Sequence, residues 1–451
     1  MSAGRFGRLT DAPASLLLAG VRVVDPADDS DAVRDLGIVD GRIADPGTVP
    51  STAERIDGHG LVAAPGLCDL HAHLRDPGDG SAETISSGSR AAAHGGFTTV
   101  CAMPNTDPPT DGADRVAAIA ARIADASCRV RVIGAVTVDR AGLALADLAA
   151  MTAAGAVAFS DDGGAVPSRA LAADALQVLA GVDRALIEHA EDLGLAGAGV
   201  MRFGPTATRL GLPGWPPEAE LAVVERDLAL AEETGARVHL THLSTAASLD
   251  AVRSAKGRGV PVTCDVTPHH LALTDAWVGG DRTFAWDATG ADQTEPSLAY
   301  HGDCRVNPPL AGRADALALL AGVADGSIDA IATDHAPHPA SSKRVPFEEA
   351  APGLIGLETA LSVGVAAVDA GRLALPELIA ALSTRPASII GEPRGLAVGS
   401  IADVVVFDPQ ARWRVTAAAL ASAAANTPLL GMELPGVVRL TVAEGRVTYR
   451  G

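Results

Sequence analysis

Short apolar runs alternate with longer amphipathic segments through the middle of the chain. Eight of the runs are rich in strand-forming residues: Leu67–His73, Phe97–Met103, Val130–Thr137, Val157–Asp161, Ala185–His189, Val238–His242, Val262–Val266 and Ala330–Thr333. The stretches between them include helical patterns at Ala113–Ala126, Ala170–Leu179 and Glu218–Thr234. Continuous apolar strands that alternate with helices predict a parallel sheet covered on both faces. Eight such units predict an α/β fold, the (β/α)8 barrel.

The two ends of the chain have a different pattern of short strands with alternating polar and apolar residues. Asp40-Gly41 lies between two such strands, and Glu444-Gly445 lies between two others, which is typical of tight hairpins. Neither end has enough strands to close a core alone. We therefore predict a small β-sandwich made from both termini, with segments 1–64 and 391–451 flanking a barrel at 65–390. Pro/Gly-rich stretches at 204–217 and 277–309 are predicted to be long barrel loops.

Nearly every predicted barrel strand ends in polar residues that could do chemistry. These residues are His71 and His73, Asn105, Asp161 and Asp162, His189, His242, His269 and His270, and Asp334 and His335. Active sites of this barrel lie at the C-terminal ends of the strands. The pattern therefore predicts a site at that end.

A subset of these residues has the chemistry of a metal site. His71 and His73 are two residues apart on one strand, so both imidazoles face the same side. The candidate ligands are His71, His73, Asp162, His189, His242 and Asp334. Six ligands exceed what one tetrahedral zinc needs and suit two metals, with a carboxylate such as Asp162 shared between them.

Each ligand also has an ordinary structural interpretation. A lone buried histidine is more often a hydrogen-bonded core residue than a ligand. Asp162-Gly163 could form a turn, and Asp334 could cap a helix. Six such residues at the ends of five strands, in barrel order, favour the metal site.

Composition and charge exclude some classes of partner and indicate a compartment. The 451 residues are 48% hydrophobic and carry a formal net charge of -20, with a pI near 4.9. This acidic balance argues against binding to nucleic acid or to anionic membranes. Five cysteines form no Cys-x-x-Cys pair, and neither a secretory leader nor a long apolar span is apparent. We expect a soluble cytoplasmic protein.

Seven motifs resemble those of bacterial dihydroorotases in the amidohydrolase superfamily. They are His71-Ala72-His73-Leu74-Arg75-Asp76-Pro77-Gly78, Met103-Pro104-Asn105-Thr106, Phe159-Ser160-Asp161-Asp162-Gly163, Thr241-His242-Leu243-Ser244-Thr245, Val266-Thr267-Pro268-His269-His270-Leu271, Val306-Asn307-Pro308-Pro309-Leu310 and Thr333-Asp334-His335-Ala336-Pro337-His338. The resemblance runs from about Leu16 to the C-terminus. Hydantoinases and allantoinases share the metal motifs, whereas the extension after His73, Asn105 and the Asn307 motif are more specific to dihydroorotases.

The resemblance implies roles for individual residues. It implies that one or two zinc ions, two being expected, are bound by the six ligands named above, and that Asp334 also shuttles a proton. Substrate contacts are implied for Arg75, Asn105, Asn307, His338, Pro352 and Gly353. Asp162 would replace the carboxylated lysine of many superfamily members, because its spacing to His189 fits the subgroup that has aspartate there.

The chain also departs from the family pattern in places. The residue before Gly353 is Pro352, where the family often has an aromatic residue, and Asp265 stands where glutamate is usual. The stretch 277–304 is longer than expected.

The implied reaction is the reversible closure of N-carbamoyl-L-aspartate to dihydroorotate. One alternative is a hydantoinase or allantoinase, which would not need Arg75 to bind a carboxylate. Another is a non-catalytic partner of aspartate transcarbamoylase, which should lack the ligands that this chain retains. A homodimer and an association with aspartate transcarbamoylase are also left open.

Overall fold

The structure is a computed structural model that describes residues 4–287 and 294–451. Its N-terminal strands are β1 (Arg5–Phe6), β2 (Leu16–Asp25), β3 (Ser30–Val39), β4 (Arg42–Ala44), β5 (Glu54–Asp57) and β6 (Val62–Pro65). The central strands are β7 (Leu67–Ala72), β8 (Phe97–Ala102), β9 (Arg129–Gly134), β10 (Ala158–Phe159), β11 (Leu186–His189), β12 (Met201–Arg202), β13 (Gly214–Trp215), β14 (Val238–Thr241), β15 (Val262–Val266) and β16 (Ala330–Ile331). The C-terminal strands are β17 (Val404–Arg414), β18 (Glu433–Ala443) and β19 (Arg446–Arg450).

Helices cover the central strands. The α-helices are α1 (Ile85–His94), α2 (Ala113–Ala120), α3 (Leu148–Ala153), α4 (Arg169–Gly181), α5 (Leu193–Ala196), α6 (Pro205–Leu210), α7 (Glu218–Thr234), α8 (Ala246–Gly257), α9 (Pro268–Ala272), α10 (Arg313–Ala324), α11 (Ala340–Lys343), α12 (Ala360–Asp369), α13 (Leu375–Ile379) and α14 (Arg385–Ile389). Short 3-10 turns lie at Pro46–Thr48, Ile123–Asp125, Val138–Arg140, Asp275–Gly279, Pro296–Leu298, Gly302–Cys304 and Phe347–Glu349, and a π-helical turn at Ala380–Thr384 joins α13 to α14.

Eight central strands form the predicted barrel. Their order is β16-β15-β14-β11-β10-β9-β8-β7, and all neighbours are parallel. The open edge between β16 and β7 is bridged where the Thr333 amide donates to Asp69 (2.8 Å) and the His73 amide donates to the His335 carbonyl (2.8 Å). All eight predicted strands are confirmed. Most end one or more residues early, because the polar residues turn out of the ladder into the site.

The predicted helix over 218–234 is confirmed, whereas the one over 113–126 ends as α2 at Ala120 and continues as a 3-10 turn. The stretch 204–217, predicted as a loop, contains α6 and β13. Pro205 occupies the first turn of α6, and Gly211, with φ 69°, ends it in the left-handed conformation. Of the other predicted loop, residues 288–293 lie outside the described residues.

Strands from both termini form one separate sheet, which we call the terminal sheet. Its order is β1-β19-β18-β17-β6-β2-β3-β4, and β5 pairs with β2. Both predicted hairpin turns are present: Asp40-Gly41 and Glu444-Gly445 have positive φ at both positions. Alternate residues of β17 face different cores. Val404 and Val406 pack with residues of β2 and β3, whereas Val405 and Phe407 join the barrel core.

The predicted segment boundaries fall close to structural transitions. The boundary after residue 64 lies within β6, and residue 391 follows α14. The division into three segments stays a prediction. Across the described ranges, no helix combines the length and apolarity needed to cross a membrane.

Candidate metal centre and active site

Six side chains converge at the C-terminal end of the barrel. They are the six predicted ligands, His71, His73, Asp162, His189, His242 and Asp334, and each of these residues is at most 6% exposed. They come from the ends of β7, β10, β11, β14 and β16, as the sequence pattern predicted. His242 and Asp334 have positive φ (42° and 44°), a conformation that non-glycine residues adopt mainly where the surrounding structure imposes it. The chain turns sharply at these two residues, and both side chains face the centre of the cluster.

Asp162 lies at the middle of the cluster. Its Oδ1 is 3.2 Å from His71 Nε2, 3.4 Å from His189 Nδ1 and 3.7 Å from His242 Nε2, while its Oδ2 is 3.4 Å from His73 Nε2. Among the described residues, no group donates a well-aligned hydrogen bond to the buried Oδ1. Burying a carboxylate oxygen without such a donor costs free energy unless a nearby cation balances its charge.

Asp334 closes the opposite side of the cluster. Its Oδ1 lies 3.1 Å from His73 Nε2 and 3.5 Å from His71 Nε2, and these two nitrogens are 3.3 Å apart. Burial alone would raise the pKa of Asp334, but the positive charge of a protonated His71 lowers it below the usual range. Burial alone would likewise lower the pKa of His71, but the charges of Asp162 and Asp334 raise it to about 9. Two ionised carboxylates that hold a proton on a buried imidazole would hold a divalent cation in its place, with release of that proton.

Hydrogen bonds behind His71 set which ring nitrogen faces the cluster. Thr241 Oγ1 donates its single proton to Asp265 (2.9 Å), so it must accept from His71 Nδ1 (2.9 Å). His71 Nε2 is then the nitrogen that faces the cluster and would offer its lone pair to a metal. Asp265 also accepts from the His242 amide (2.6 Å) and from His239 (2.8 Å), so one buried carboxylate supports two ligand segments.

His73 and His189 are oriented in the same way. Asn105 Oδ1 accepts from His73 Nδ1 (2.8 Å), which leaves Nε2 for the cluster. Glu191 accepts from His189 Nε2 (2.9 Å), which leaves Nδ1 facing Asp162 and 2.9 Å from His242 Nε2. An acceptor that fixes the tautomer of a histidine is characteristic of metal ligands.

The donor set fits divalent metal ions. Two groups of three have their ligand atoms within 4.8 Å of one another: His71, Asp162 and His242, and His71, His73 and Asp334. Imidazole nitrogens and carboxylate oxygens are typical zinc ligands. The ring nitrogens of these histidines also face one another and two carboxylates, an arrangement that requires a cation or protons between them.

The structure distinguishes Asp161 from Asp162. Asp161 accepts from the amides of Val136 (2.9 Å) and Thr137 (3.1 Å) and from the Thr137 hydroxyl. Its carboxylate therefore anchors the loop after β9, and only Asp162 faces the histidines.

Arg75 is placed as a substrate-binding residue would be. No hydrogen bond or ion pair joins its guanidinium to another described residue, although it lies within electrostatic range of Asp334, Asp162 and Arg140. Burial lowers the pKa of Arg75. Burial, together with the nearby positive charge of Arg75, lowers the pKa of His338 to about 4. The side chain thus presents unused donors near the cluster.

The other predicted substrate residues lie on loops around the His/Asp cluster. Asn105 and Asn307 each use one amide atom internally: Asn105 Oδ1 accepts from His73, and Asn307 Nδ2 donates to Glu191 (2.7 Å). His338 Nε2 donates to the Pro352 carbonyl (2.8 Å). Gly353 has φ 127°, and a Cβ there would lie 2.6 Å from that of Ala336, so glycine is required at this position.

The sequence analysis missed Glu191. Besides His189 and Asn307, it accepts from Trp215 Nε1 (3.2 Å). Burial alone would raise the pKa of Glu191, but the hydrogen bond from His189 lowers it to about 2. The available signal was its position two residues after a ligand, at the end of the same strand.

His270, also at a strand end, has a structural role. It donates from Nε2 to the Pro308 carbonyl (2.9 Å) and accepts from Thr267 at Nδ1 (2.8 Å). His335 similarly interacts with Glu83 (3.3 Å) in the core. These contacts hold the Asn307 loop and the edge of the barrel.

Comparisons with known proteins identify the relatives of this chain. The family model described as Dihydro-orotase-like matches residues 60–248. The dihydroorotase of Anaeromyxobacter sp. (strain K) is 46% identical over 439 residues, which is 96% of this chain and 98% of that protein. That of Citrifermentans bemidjiense is 43% identical over 97% of this chain and 100% of its own length.

Solved structures agree on the fold. L-hydantoinase (dihydropyrimidinase) from Arthrobacter aurescens superposes with a TM-score of 0.81 at 24% identity, over 96% of each chain. A D-hydantoinase has a TM-score of 0.78 at 23% identity, over 96% of this chain and 94% of its own. At that identity the likeness supports the barrel with its terminal sheet, whereas the near full-length sequence relatives identify the family. The chain belongs to the dihydroorotase family of cyclic amidohydrolases.

Proposed function

We propose that this chain catalyses the reversible closure of N-carbamoyl-L-aspartate to (S)-dihydroorotate in pyrimidine (UMP) biosynthesis, using the residues identified above. The observation that carries the proposal is the uncommitted guanidinium of Arg75 within electrostatic range of the His/Asp cluster. The cluster suits cyclic amide hydrolysis, and Arg75 suits a substrate that carries a carboxylate.

We infer that two zinc ions occupy the cluster. His71, His73, Asp162, His189, His242 and Asp334 would hold them, and Asp162 would bridge because its two oxygens face different histidines. When bound, the metals would supply a water of lowered pKa and polarise the amide carbonyl. His71, His73 and His189 contribute lone pairs held in place by Thr241, Asn105 and Glu191.

Asp334 would move the proton. It is 6% exposed and ionised, because its pKa lies below the usual range. In the hydrolytic direction it accepts the proton of the attacking water and delivers it to the departing amide nitrogen, and the reverse holds for ring closure.

Arg75 would bind the substrate carboxylate through a two-donor fork. Asn105 retains its Nδ2 and Asn307 retains its Oδ1 for the substrate, since their other amide atoms are engaged. His338 is neutral near pH 7 because of its lowered pKa, and its Nδ1 remains available. Backbone groups of Pro352 and Gly353 would complete the pocket.

The second candidate is a hydantoinase or allantoinase, which the solved-structure neighbours suggest by fold alone. Their substrates are cyclic amides without a carboxylate to match Arg75. A panel containing dihydroorotate, hydantoin and allantoin separates the two candidates.

The test is an ultraviolet assay of dihydroorotate hydrolysis on purified protein, with metal analysis of the same sample. We expect turnover that a chelator abolishes and zinc restores, with about two zinc ions per chain. Turnover of hydantoin in preference to dihydroorotate would overturn the assignment. Metal-free protein with full activity would overturn the metal site. We also propose a cytoplasmic location, which cell fractionation can check. Size measurement and co-purification would test for a homodimer and for an association with aspartate transcarbamoylase.

A further inference from the structure

One buried lysine lies outside the chemistry assigned so far. The chain has two lysines, Lys256 and Lys343, and Lys343 is only 4% exposed. Its Nζ donates to the carbonyls of Arg305 (3.3 Å), Ala351 (2.7 Å) and Gly353 (2.8 Å). An ammonium group has three protons, and all three are used here.

The acceptors belong to segments that carry proposed substrate residues. Arg305 precedes Asn307 by two residues, and Gly353 is itself a proposed contact. The segments are also joined directly, because the Gly353 amide donates to the Arg305 carbonyl (2.9 Å) and the Ala351 amide donates to Ser342 (3.0 Å). Lys343 follows His338 by five residues, at the end of α11.

We propose that Lys343 is a positioning residue whose ammonium holds the Asn307, His338 and Pro352–Gly353 segments together as one substrate-binding wall. The proposal rests on the proposed function, since it takes these segments to contact the substrate. Lys343 itself touches neither the metal ligands nor the reacting atoms.

The state of the ammonium gives the wall a dependence on pH. Burial lowers the pKa of Lys343 to about 8, the charge of Asp303 opposes that shift, and Arg305 adds to it. Cys304 stays a neutral thiol, because burial raises its pKa to about 12. The remaining charged or titratable neighbours are His301, which pairs with Asp303 (3.5 Å), Arg344 and His338.

Deprotonation removes one donor from this arrangement. A neutral amine has two protons, so above pH 8 one of the three carbonyls loses its partner. The wall then loosens as the pH rises, and KM should rise with it. Zinc binding and the chemical step do not involve Lys343, so kcat should change less.

The central experiment compares Lys343→Met with Lys256→Met. Both changes remove an amine and keep a similar length. Lys256 also donates to a carbonyl, that of Ser327 (2.9 Å), and pairs with Asp329 (2.5 Å), away from the proposed wall. We expect Lys343→Met to keep its zinc and most of its kcat while KM for dihydroorotate rises on the order of ten-fold, as for one misplaced hydrogen bond. Lys256→Met should leave KM unchanged.

Two further measurements separate positioning from a general loss of fold. Lysine labelled with 13C at Cε gives two side-chain resonances, assigned with the variants, and the Lys343 resonance should titrate near pH 8. Over pH 7–9.5, KM of the wild type should rise with that titration, while KM of Lys343→Met stays high and flat. Hydrogen exchange should quicken at 303–307 and 351–354 in Lys343→Met but not in Lys256→Met.

Several results would overturn the proposal. They are an unchanged KM in Lys343→Met, a parallel loss of zinc and kcat, or a KM–pH profile that is the same in wild type and variant. Lys343→Gln retains two donors and replaces Lys343→Met as the test if that variant folds poorly. Its KM should rise less than that of Lys343→Met, and an equal rise would also contradict the proposal. A wild-type protein that does not hydrolyse dihydroorotate would refute the proposed function instead, and the exchange data would still show whether Lys343 joins the segments.

Discussion

At the scale of single residues, the site depends on pairs in which one member orients the other. His71, His73 and His189 could each bind through either nitrogen. Thr241, Asn105 and Glu191 decide which nitrogen faces the cluster, by accepting a proton from the opposite side of the ring. Substitutions of ligands, of orienting groups and of substrate contacts should therefore have separable effects.

Asp162→Ala should remove metal, whereas Asp161→Ala should largely retain it. Asp162 faces the histidines, but Asp161 is occupied by Val136 and Thr137. Metal analysis after dialysis, with circular dichroism to confirm folding, checks this expectation. Greater metal loss in Asp161→Ala would mean that the bridging role belongs to the other aspartate.

Glu191→Gln should lower zinc affinity about ten- to a hundred-fold, the usual effect of losing the partner of a ligand histidine. The neutral amide no longer holds His189 with a charge-assisted hydrogen bond. Competition with a chromophoric chelator measures the affinity. Trp215→Phe is the matched control, since it removes the indole donor to Glu191 and leaves the His189 contact. Equal effects of the two changes would show that Glu191 acts only through packing.

Arg75→Lys should reduce turnover of dihydroorotate while zinc content stays the same. Lysine keeps the charge but loses the planar fork, and one lost charge-assisted hydrogen bond costs about 1.5–3 kcal/mol, or roughly ten- to a hundred-fold. A neutral cyclic amide should lose much less. An equal loss on both substrates would argue against carboxylate recognition by Arg75 and would favour the hydantoinase alternative.

At the scale of elements, the strands and their order could be predicted, and several contacts between loops could not. Apolar runs that end in histidine or aspartate indicated both the barrel and the end at which six candidate ligands, on β7, β10, β11, β14 and β16, come together. Glu191 and Lys343 were missed. The only signal for Glu191 was its position two residues after His189, since its contact with Asn307 joins residues 116 apart in the sequence. Lys343 binds backbone carbonyls, which carry no sequence signal. The helix within 204–217 was missed because its proline and glycines also indicate a loop.

Asn426 shows how an element outside the barrel supports the pocket. It is 5% exposed, it donates to the carbonyls of Ala336 (3.0 Å) and Gly353 (3.2 Å), and it accepts from the His338 amide (3.1 Å). Asn426→Asp keeps the shape but turns a carboxylate oxygen toward two carbonyls.

We expect Asn426→Asp to raise KM about ten-fold and to lower stability by about 1–3 kcal/mol, because the Ala336 carbonyl loses its side-chain donor and the Gly353 carbonyl keeps only Lys343. Steady-state kinetics and urea unfolding measure both effects. Gln410→Glu makes the same chemical change at an exposed position of β17 and should alter neither. An unchanged KM in Asn426→Asp would show that this segment does not contribute to substrate binding.

At the scale of the whole molecule, buried charges join the barrel to the terminal sheet. Arg129, at the start of β9, is 9% exposed, and it donates to Glu444 (2.8 Å), Asp403 (3.3 Å) and Thr99 (3.0 Å). Asp403 is also buried and accepts from the Glu444 amide (2.8 Å). This contact lies at the N-terminal ends of the strands, opposite the metal cluster, where barrels usually place groups that serve stability.

Arg129→Met should therefore destabilise the fold without altering the site. Removing the cation leaves Asp403 buried without its charged partner, which typically costs about 3–5 kcal/mol. Urea unfolding should show the loss, while kcat, KM and zinc content measured well below the transition stay at wild-type values. Arg22→Met breaks an ion pair with Asp31 whose side chains are 44% and 34% exposed, and should cost at most about 1 kcal/mol. Similar losses in the two variants would mean that the Arg129 cluster contributes no more than a surface ion pair, and a drop in kcat at full zinc content would mean that the terminal sheet influences the site across the length of the barrel.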